Sequence, residues 1–392
     1  MPPEPDPADR PAAPQAVNAA QADRVAAPQE AHDPADGPQA DPDLADRAGR
    51  PPLRRRLVPV VALLLLAPWA AECSWGGFAI DDFLPVIIGL GPMYGGAAIL
   101  IRETARRLGA GWPTIVLLAA AFGVLQAGLV DQSLFNPGYL DDTQYADTRA
   151  AAEASLVPGL GFSLRQAYDY VGNHILLTIC APIVFVESFL GVKRRHRPWL
   201  GRPGLAVVGV LYLLGSLLVF TSPEGRKNFL ASPLQLVFAT AVVLALVAVA
   251  LLPRWRRTHP RRVRRVPHPL WLGLLVVLAH LFTDPAPGWA GVAVALVLTA
   301  TVGALVAYWS GGAGWGQRHV LAAASANVVS AAAFAYLVPP YSPASPAAAL
   351  AGDVAVTVVT LALVCGAWWR LRPATSGPAS TSVDTGPRGS TS

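Results

Sequence analysis

Apolar residues run along this chain in blocks of about twenty, with no sustained alternation between apolar and polar positions. Ten such blocks lie at residues 57–73, 84–101, 113–130, 169–190, 204–220, 232–252, 269–283, 288–309, 319–338 and 348–369. A helix of about 20 residues crosses the ~30 Å of hydrocarbon in a bilayer. The pattern therefore predicts an all-α fold, a polytopic transmembrane helix bundle of about ten spans. The seventh block is short for a full crossing.

The connections test that count. Basic residues near span ends stay on the cytoplasmic side. If Arg54, Arg55 and Arg56 are inside, every second connection must be basic. RETARR at 102–107, KRRHR at 193–197, RWRRTHPRRVRR at 254–265, Arg318, and Arg370 with Arg372 all fall where they should. The opposite connections hold only Arg149, Arg165, Arg226 and Lys227. Both termini are thus expected inside. Residues 1–52 and 373–392, rich in Pro, Ala, Ser and Asp, lack the large apolar residues that offset ordering entropy. They read as disordered cytoplasmic tails around a transmembrane domain at 53–372. The connection 131–168 is a long, acidic outer loop, of the length that tends to carry function.

Composition narrows the class. The chain has 392 residues, 53% hydrophobic and 14% charged, against roughly a quarter charged in soluble domains. Only Lys193 and Lys227 are lysines among 30 basic residues, a bias that points to a high-GC bacterium and to its plasma membrane. The net charge of +5 sits in the cytoplasmic clusters and forms no continuous face, so nucleic acid is not an expected partner. The lipid bilayer is one; a substrate or protein partner is not legible. Cys73, Cys180 and Cys365 fall at three depths, too far apart for a disulfide. Glu72 before Cys73 spoils a lipoprotein cleavage site, and block 57–73 reads as a retained first span.

Polar residues inside a bilayer are costly and usually face a cavity or a partner. By this topology Glu72, Gln126, Asp131, Gln132, Asn136, Asn173, His174, His280, Asp284 and Asp353 lie in the outer half, with Asn327 nearer the middle. The cavity candidates are Gln126, Asp131, Gln132, His174, His280 and Asp353. The plainer alternative is interfacial residues and helix caps, for which Asn136-Pro137-Gly138 is suitable turn chemistry. His280 and Asp284 share a helix face, and His174 lies at similar depth. Together they are a candidate ligand set for zinc or another divalent metal. GLGPMYGG at 89–96 offers either close helix packing through Gly91 and Gly95 or an unwound stretch facing a substrate. Glu187 is expected to reach Lys193 or Arg194, Glu103 to pair with its neighbouring arginines, and Arg165 with Asp169. No phosphate-binding glycine loop, Cys-x-x-Cys site or serine nucleophile elbow occurs, and no inverted repeat is visible.

AAAFGVLQAGLVDQSLFNPGY, preceded by GPMYGGAAILIRETARRLGAGWP, resembles an uncharacterised family of multi-pass membrane proteins from high-GC Gram-positive bacteria. The resemblance runs from span one through HILLTICAPIVFVES in span four. It implies a membrane bundle and no particular activity. In that family the third span commonly carries Glu-Glu-Gly-Leu where this chain has Gln126-Ala127-Gly128-Leu129. A second likeness is to CPBP-type intramembrane metalloproteases. Tyr170 and His174 in YVGNH, and His280 and Asp284 in HLFTD, match two of their spacings. The paired glutamates of the first motif are replaced by Gln126 and Ala127, and its arginine by Asp131. A carboxamide is no general base, so no proteolysis is expected and no residue is assigned as catalytic. Three readings remain: a permease for a small molecule or ion with an outward-facing polar cavity, an envelope scaffold or regulator, and a degenerate relative of the metalloproteases.

Overall fold

The computed structural model describes residues 53–256, 263–283 and 288–372. Both terminal tails and Asp284 lie outside the described residues. Each of the ten apolar blocks is a helix: α1 (Arg54–Cys73), α2 (Ile80–Arg107), α3 (Trp112–Val130), α4 (Leu164–Ser188), α5 (Arg202–Thr221), α6 (Pro233–Ala250), α7 (Pro269–Leu281), α8 (Gly288–Ser310), α9 (Gln317–Ala335) and α10 (Pro346–Arg370). Eight of them are long and apolar enough to cross a bilayer. The exceptions are α7, with 13 residues, and α9, whose mean hydropathy is lowered by Gln317, Arg318, His319 and Asn327. The chain is an all-α integral membrane protein. An isolated bridge between Leu156 and Ser163 is the only β contact among the described residues.

Helix starts follow local chemistry. Ser232 caps α6 by accepting from the Gln235 amide while the Gln235 side chain accepts from Ser232, and Ser345 caps α10 in the same sense. Proline occupies the first turn of α3, α5, α6, α7 and α10, where its missing N–H costs nothing.

The core is α1–α4. Between 44% and 61% of each apolar window there is buried, against 11–17% in α5, α6, α8 and α10. The outer helices turn leucine and valine outward, as Leu213, Leu217, Leu234 and Val237 show, a surface suited to lipid. Helix α5 packs on α2, α6 on α3, and α9 joins α4, α7 and α10. Backbones touch at α2. A Cβ on Gly95 would lie 2.5 Å from the Leu64 Cα and carbonyl of α1, whereas one on Gly91 would sit 3.5 Å from that carbonyl. On the other face a Cβ on Gly215 of α5 would lie 2.8 Å from the Met93 amide. The GLGPMYGG stretch is therefore tightly packed rather than unwound, and residues Gly91–Gly95 form a π-helical turn.

At the arginine-rich end, an ion network joins α2 to α4. Glu187 accepts from Arg102 Nε at 3.1 Å and from Arg106 Nη2 at 2.6 Å. Glu103 accepts from Arg102 Nη1 at 2.7 Å, from Arg107 Nη1 at 2.6 Å and from the Trp199 amide at 2.7 Å. The Arg102 guanidinium also donates to the Arg195 carbonyl and lies 3.5 Å over the Trp199 ring. Arg102, Glu103 and Glu187 are fully buried. The expected pairing of Glu187 with Lys193 or Arg194 is not formed. Glu187 points inward to α2, and Arg194 donates to the Arg55 carbonyl instead. Arg165 does pair with Asp169, at 2.8 Å.

Two variants test this packing by thermal unfolding in detergent. Glu187→Ala strands the buried Arg106 guanidinium, which pairs with no other carboxylate among the described residues, and takes one of two carboxylates from Arg102. It is expected to cost about 3–5 kcal/mol, whereas Arg107→Ala leaves Glu103 with Arg102 and the Trp199 and Leu200 amides and is expected to cost about 1 kcal/mol. Gly95→Ala is expected to lower stability by about 1–3 kcal/mol through overpacking against Leu64, while Gly91→Ala is tolerated.

Candidate functional site

Four π-helical turns interrupt the core helices: Trp69–Cys73 in α1, Gly91–Gly95 in α2, Gln126–Val130 in α3 and His174–Cys180 in α4. Such turns insert a residue into an α-helix and recur at functional sites. Each carries a polar side chain toward the end of the bundle opposite the arginines: Glu72, Tyr94, Gln126 and His174. The Tyr94 hydroxyl donates to Glu72 at 2.7 Å. The His174 ring stacks on Phe122 with centroids 5.5 Å apart and meets Tyr94 edge-on at 5.6 Å. A side chain at position 123 would press on the Val171 backbone and His174 Cβ, 3.2 Å away, so Gly123 lets α3 and α4 approach here. Asn173 donates to the Ala71 carbonyl at 3.3 Å.

Gln126 donates to Asp131 Oδ2 at 3.2 Å, and the other Asp131 oxygen accepts from the Ser133 amide at 2.8 Å. Several buried atoms in this region have no hydrogen-bond partner: Gln126 Oε1, Asn173 Oδ1, Tyr170 Oη and both ring nitrogens of His174. Native proteins pair nearly all such atoms. Each of these atoms is closed off from solvent, while Glu72, Tyr170 and Asn173 as whole residues remain partly accessible.

Aromatic rings cover the site. Tyr341 meets Trp75 at 5.3 Å and Tyr145 at 5.4 Å, both edge-on. The cover is stitched through backbone: the Tyr341 amide donates to the Gly77 carbonyl at 2.8 Å, and the Gln144 amide to the Tyr341 carbonyl at 3.0 Å. The Tyr145 hydroxyl donates to Pro339. Loop 131–168 thus folds over the mouth. Burial first, then Asp131, Tyr341, Glu72 and Tyr170 around it, hold the Tyr139 hydroxyl well above its ordinary pKa. The same neighbourhood acts on Tyr341, where burial is followed by Glu72, Tyr170, Tyr145 and Asp131. Burial pushes Asp131 up to about 6, against the opposing bonds from Ser133 and Gln126.

Of the sequence candidates, Gln126, Asp131 and His174 fall in this region. Gln132 does not serve it: its backbone is left-handed, at φ 57°, and its side-chain Oε1 accepts from the Ala231 amide at 2.8 Å. Asn136 caps its own turn by accepting from the Gly138 amide. His280 is exposed on α7, which packs on α8 and α9, and its Nδ1 lies 2.9 Å from the Val276 carbonyl of its own helix. Asp353 is partly buried on α10 beside the 78–80 turn. Among the described residues no three His, Cys, Asp or Glu side chains group as metal ligands. Cys73, Cys180 and Cys365 are free thiols. Glu72, Tyr94, Tyr170 and Tyr341 were not among the cavity candidates. A carboxylate inside an apolar block, one residue from its end, was the available signal for Glu72. Nothing in the local pattern separates these tyrosines from interfacial ones.

Comparison with protein-family models, with curated proteins and with solved structures finds no match for this chain.

The pKa of Asp131 generates a test. A raised carboxylate pKa stabilises the fold fully below the unfolded value, 3.8, and that contribution is lost as pH rises through about 6. Asp131→Asn keeps the Ser133 bond and, with the Gln126 amide turned over, the Gln126 bond. The variant is expected to match wild type below pH 4 and to be the more stable by roughly 2–3 kcal/mol above pH 7. Melting temperatures from pH 4 to 8 in detergent read the difference; a constant gap across that range would refute it.

Proposed function

We propose that this chain is a permease-like protein of a bacterial plasma membrane, carrying a small solute through a pocket at the end opposite its arginine clusters. With those clusters cytoplasmic, the pocket faces outward. One observation carries the reading. Glu72, Gln126, Asn173 and His174, delivered by three core helices, lie in one region, and Gln126, Asn173 and His174 leave atoms unpaired inside it. A scaffold has no need of such atoms, and each one costs on the order of 1–3 kcal/mol when left unmet. An occupant that supplies the missing bonds recovers that cost. The stitched loops and the Trp75, Tyr145 and Tyr341 rings act as the outer gate. The glycine contacts of α2 with α1 and α5 form the rigid body beneath it.

Thiol accessibility tests this. In a background with Cys73, Cys180 and Cys365 replaced by serine, Gln126→Cys and His174→Cys are expected to react with a membrane-impermeant methanethiosulfonate added outside. Ile183→Cys, in the closed core, is expected to stay unreactive. A carrier also exposes its site to the inside, so slower labelling from that face is expected. Labelling only from outside would overturn the carrier and leave a receptor; labelling from neither side would remove the pocket.

A further inference from the structure

We propose that the pocket takes a small protonated amine. This rests on the pocket reading above and adds the chemistry of its occupant. The argument starts from charge. Glu72 and Asp131 have no ion-pair partner among the described residues. The basic side chains of the same end are all engaged elsewhere. Arg149 pairs with Asp141 and Glu153, Arg165 with Asp169, and Lys227 with Asp142 and Glu224. Arg226 donates to the Phe220 and Phe229 carbonyls and lies over the Phe220 ring. The arginine network of α2 and α4 lies at the far end of the bundle. Two carboxylates enclosed by protein, without a cation of their own, exclude anions and favour a cationic guest.

The unpaired atoms specify the kind of cation. Gln126 Oε1 and Asn173 Oδ1 can only accept hydrogen bonds, so the guest must bring N–H or O–H groups. A primary or secondary ammonium supplies two or three. The Tyr94 and Phe122 rings pack against His174 in the same region, and aromatic rings attract a cation and its carbon substituents. A bare metal ion fits less well, because the region presents no trio of His, Cys, Asp or Glu ligands among the described residues. A quaternary ammonium would satisfy the charge and leave the acceptors unmet.

Three ligands with one ring and different charge decide the matter: benzylamine, benzyl alcohol and benzoate. Calorimetric titration of the full chain in detergent at pH 7.5, where benzylamine is protonated, is expected to show binding of benzylamine and none of benzoate. Benzyl alcohol is expected to bind at least about tenfold more weakly, because it lacks the charged hydrogen bond. Glu72→Gln, which can still accept from Tyr94, is expected to weaken benzylamine by about tenfold on the same scale and to melt at or above the wild-type temperature. Equal binding of the three ligands, unchanged benzylamine binding in Glu72→Gln, or no binding by a well-folded wild type would each overturn the amine assignment. The thiol-labelling result separates the two proposals. A pocket that labels from outside yet binds no amine keeps the permease and loses this ligand class.

Discussion

The buried ion network between α2 and α4 is the constraint on which the rest of the bundle depends. Apolar helices in lipid gain little from burying leucine against leucine, since the lipid offers the same contact. Direction and register must come from elsewhere. Glu187 accepts from two arginines one turn apart on α2, while Glu103 reaches across to the backbone of residues 199 and 200. Sliding α4 by one residue would strand these charges in a medium where each unpaired ion costs several kcal/mol. One register therefore survives, and with it the mutual depth of Tyr94 and His174, some turns away on the same two helices.

That link connects opposite ends of the molecule. At the arginine-rich end Arg102, Arg106, Glu103 and Glu187 each have a counter-charge, and buried Arg195 donates to the Glu187 and Leu190 carbonyls. At the other end Glu72 and Asp131 have none among the described residues, and amide and imidazole atoms go unpaired there. The same helices serve both ends, and what differs between them is helical geometry. A π-helical turn rotates everything beyond it relative to a regular α-helix. In α1–α4 these turns carry Glu72, Tyr94, Gln126 and His174 at one end of the bundle, while the regular parts of α2 and α4 keep the ion pairs aligned. Gly95 and Gly215 allow the backbones of α1, α2 and α5 to meet beneath that region.

Much of the architecture was legible in the amino-acid order. Ten helices, their boundaries to within a few residues, the basic connections and the Arg165–Asp169 pair all follow from local composition and short-range spacing. Gln126, Asp131 and His174 were also legible, as polar residues too deep to be ignored. Gln132 shows the limit of that reasoning. It has the same polarity and neighbouring position, yet a left-handed backbone turns it away to hold the start of α6. His280 matched His174 in depth, and depth says nothing about which side of a helix or which neighbour it meets.

The sequence by itself determined that this is a helical membrane protein, where its helices run and which residues are too polar for lipid, because hydrocarbon thickness and backbone hydrogen bonding act on each segment alone. Only the tertiary structure decided which polar residues meet. Glu72 joined Tyr94 across helices, Glu187 turned to α2 rather than to its own flanking lysine and arginine, and Tyr341 came back over a site whose other members lie far earlier in the chain. The physical reason is that a side chain's partner depends on helix rotation, on π-helical turns and on glycine contacts between backbones, and none of these is a property of any one segment.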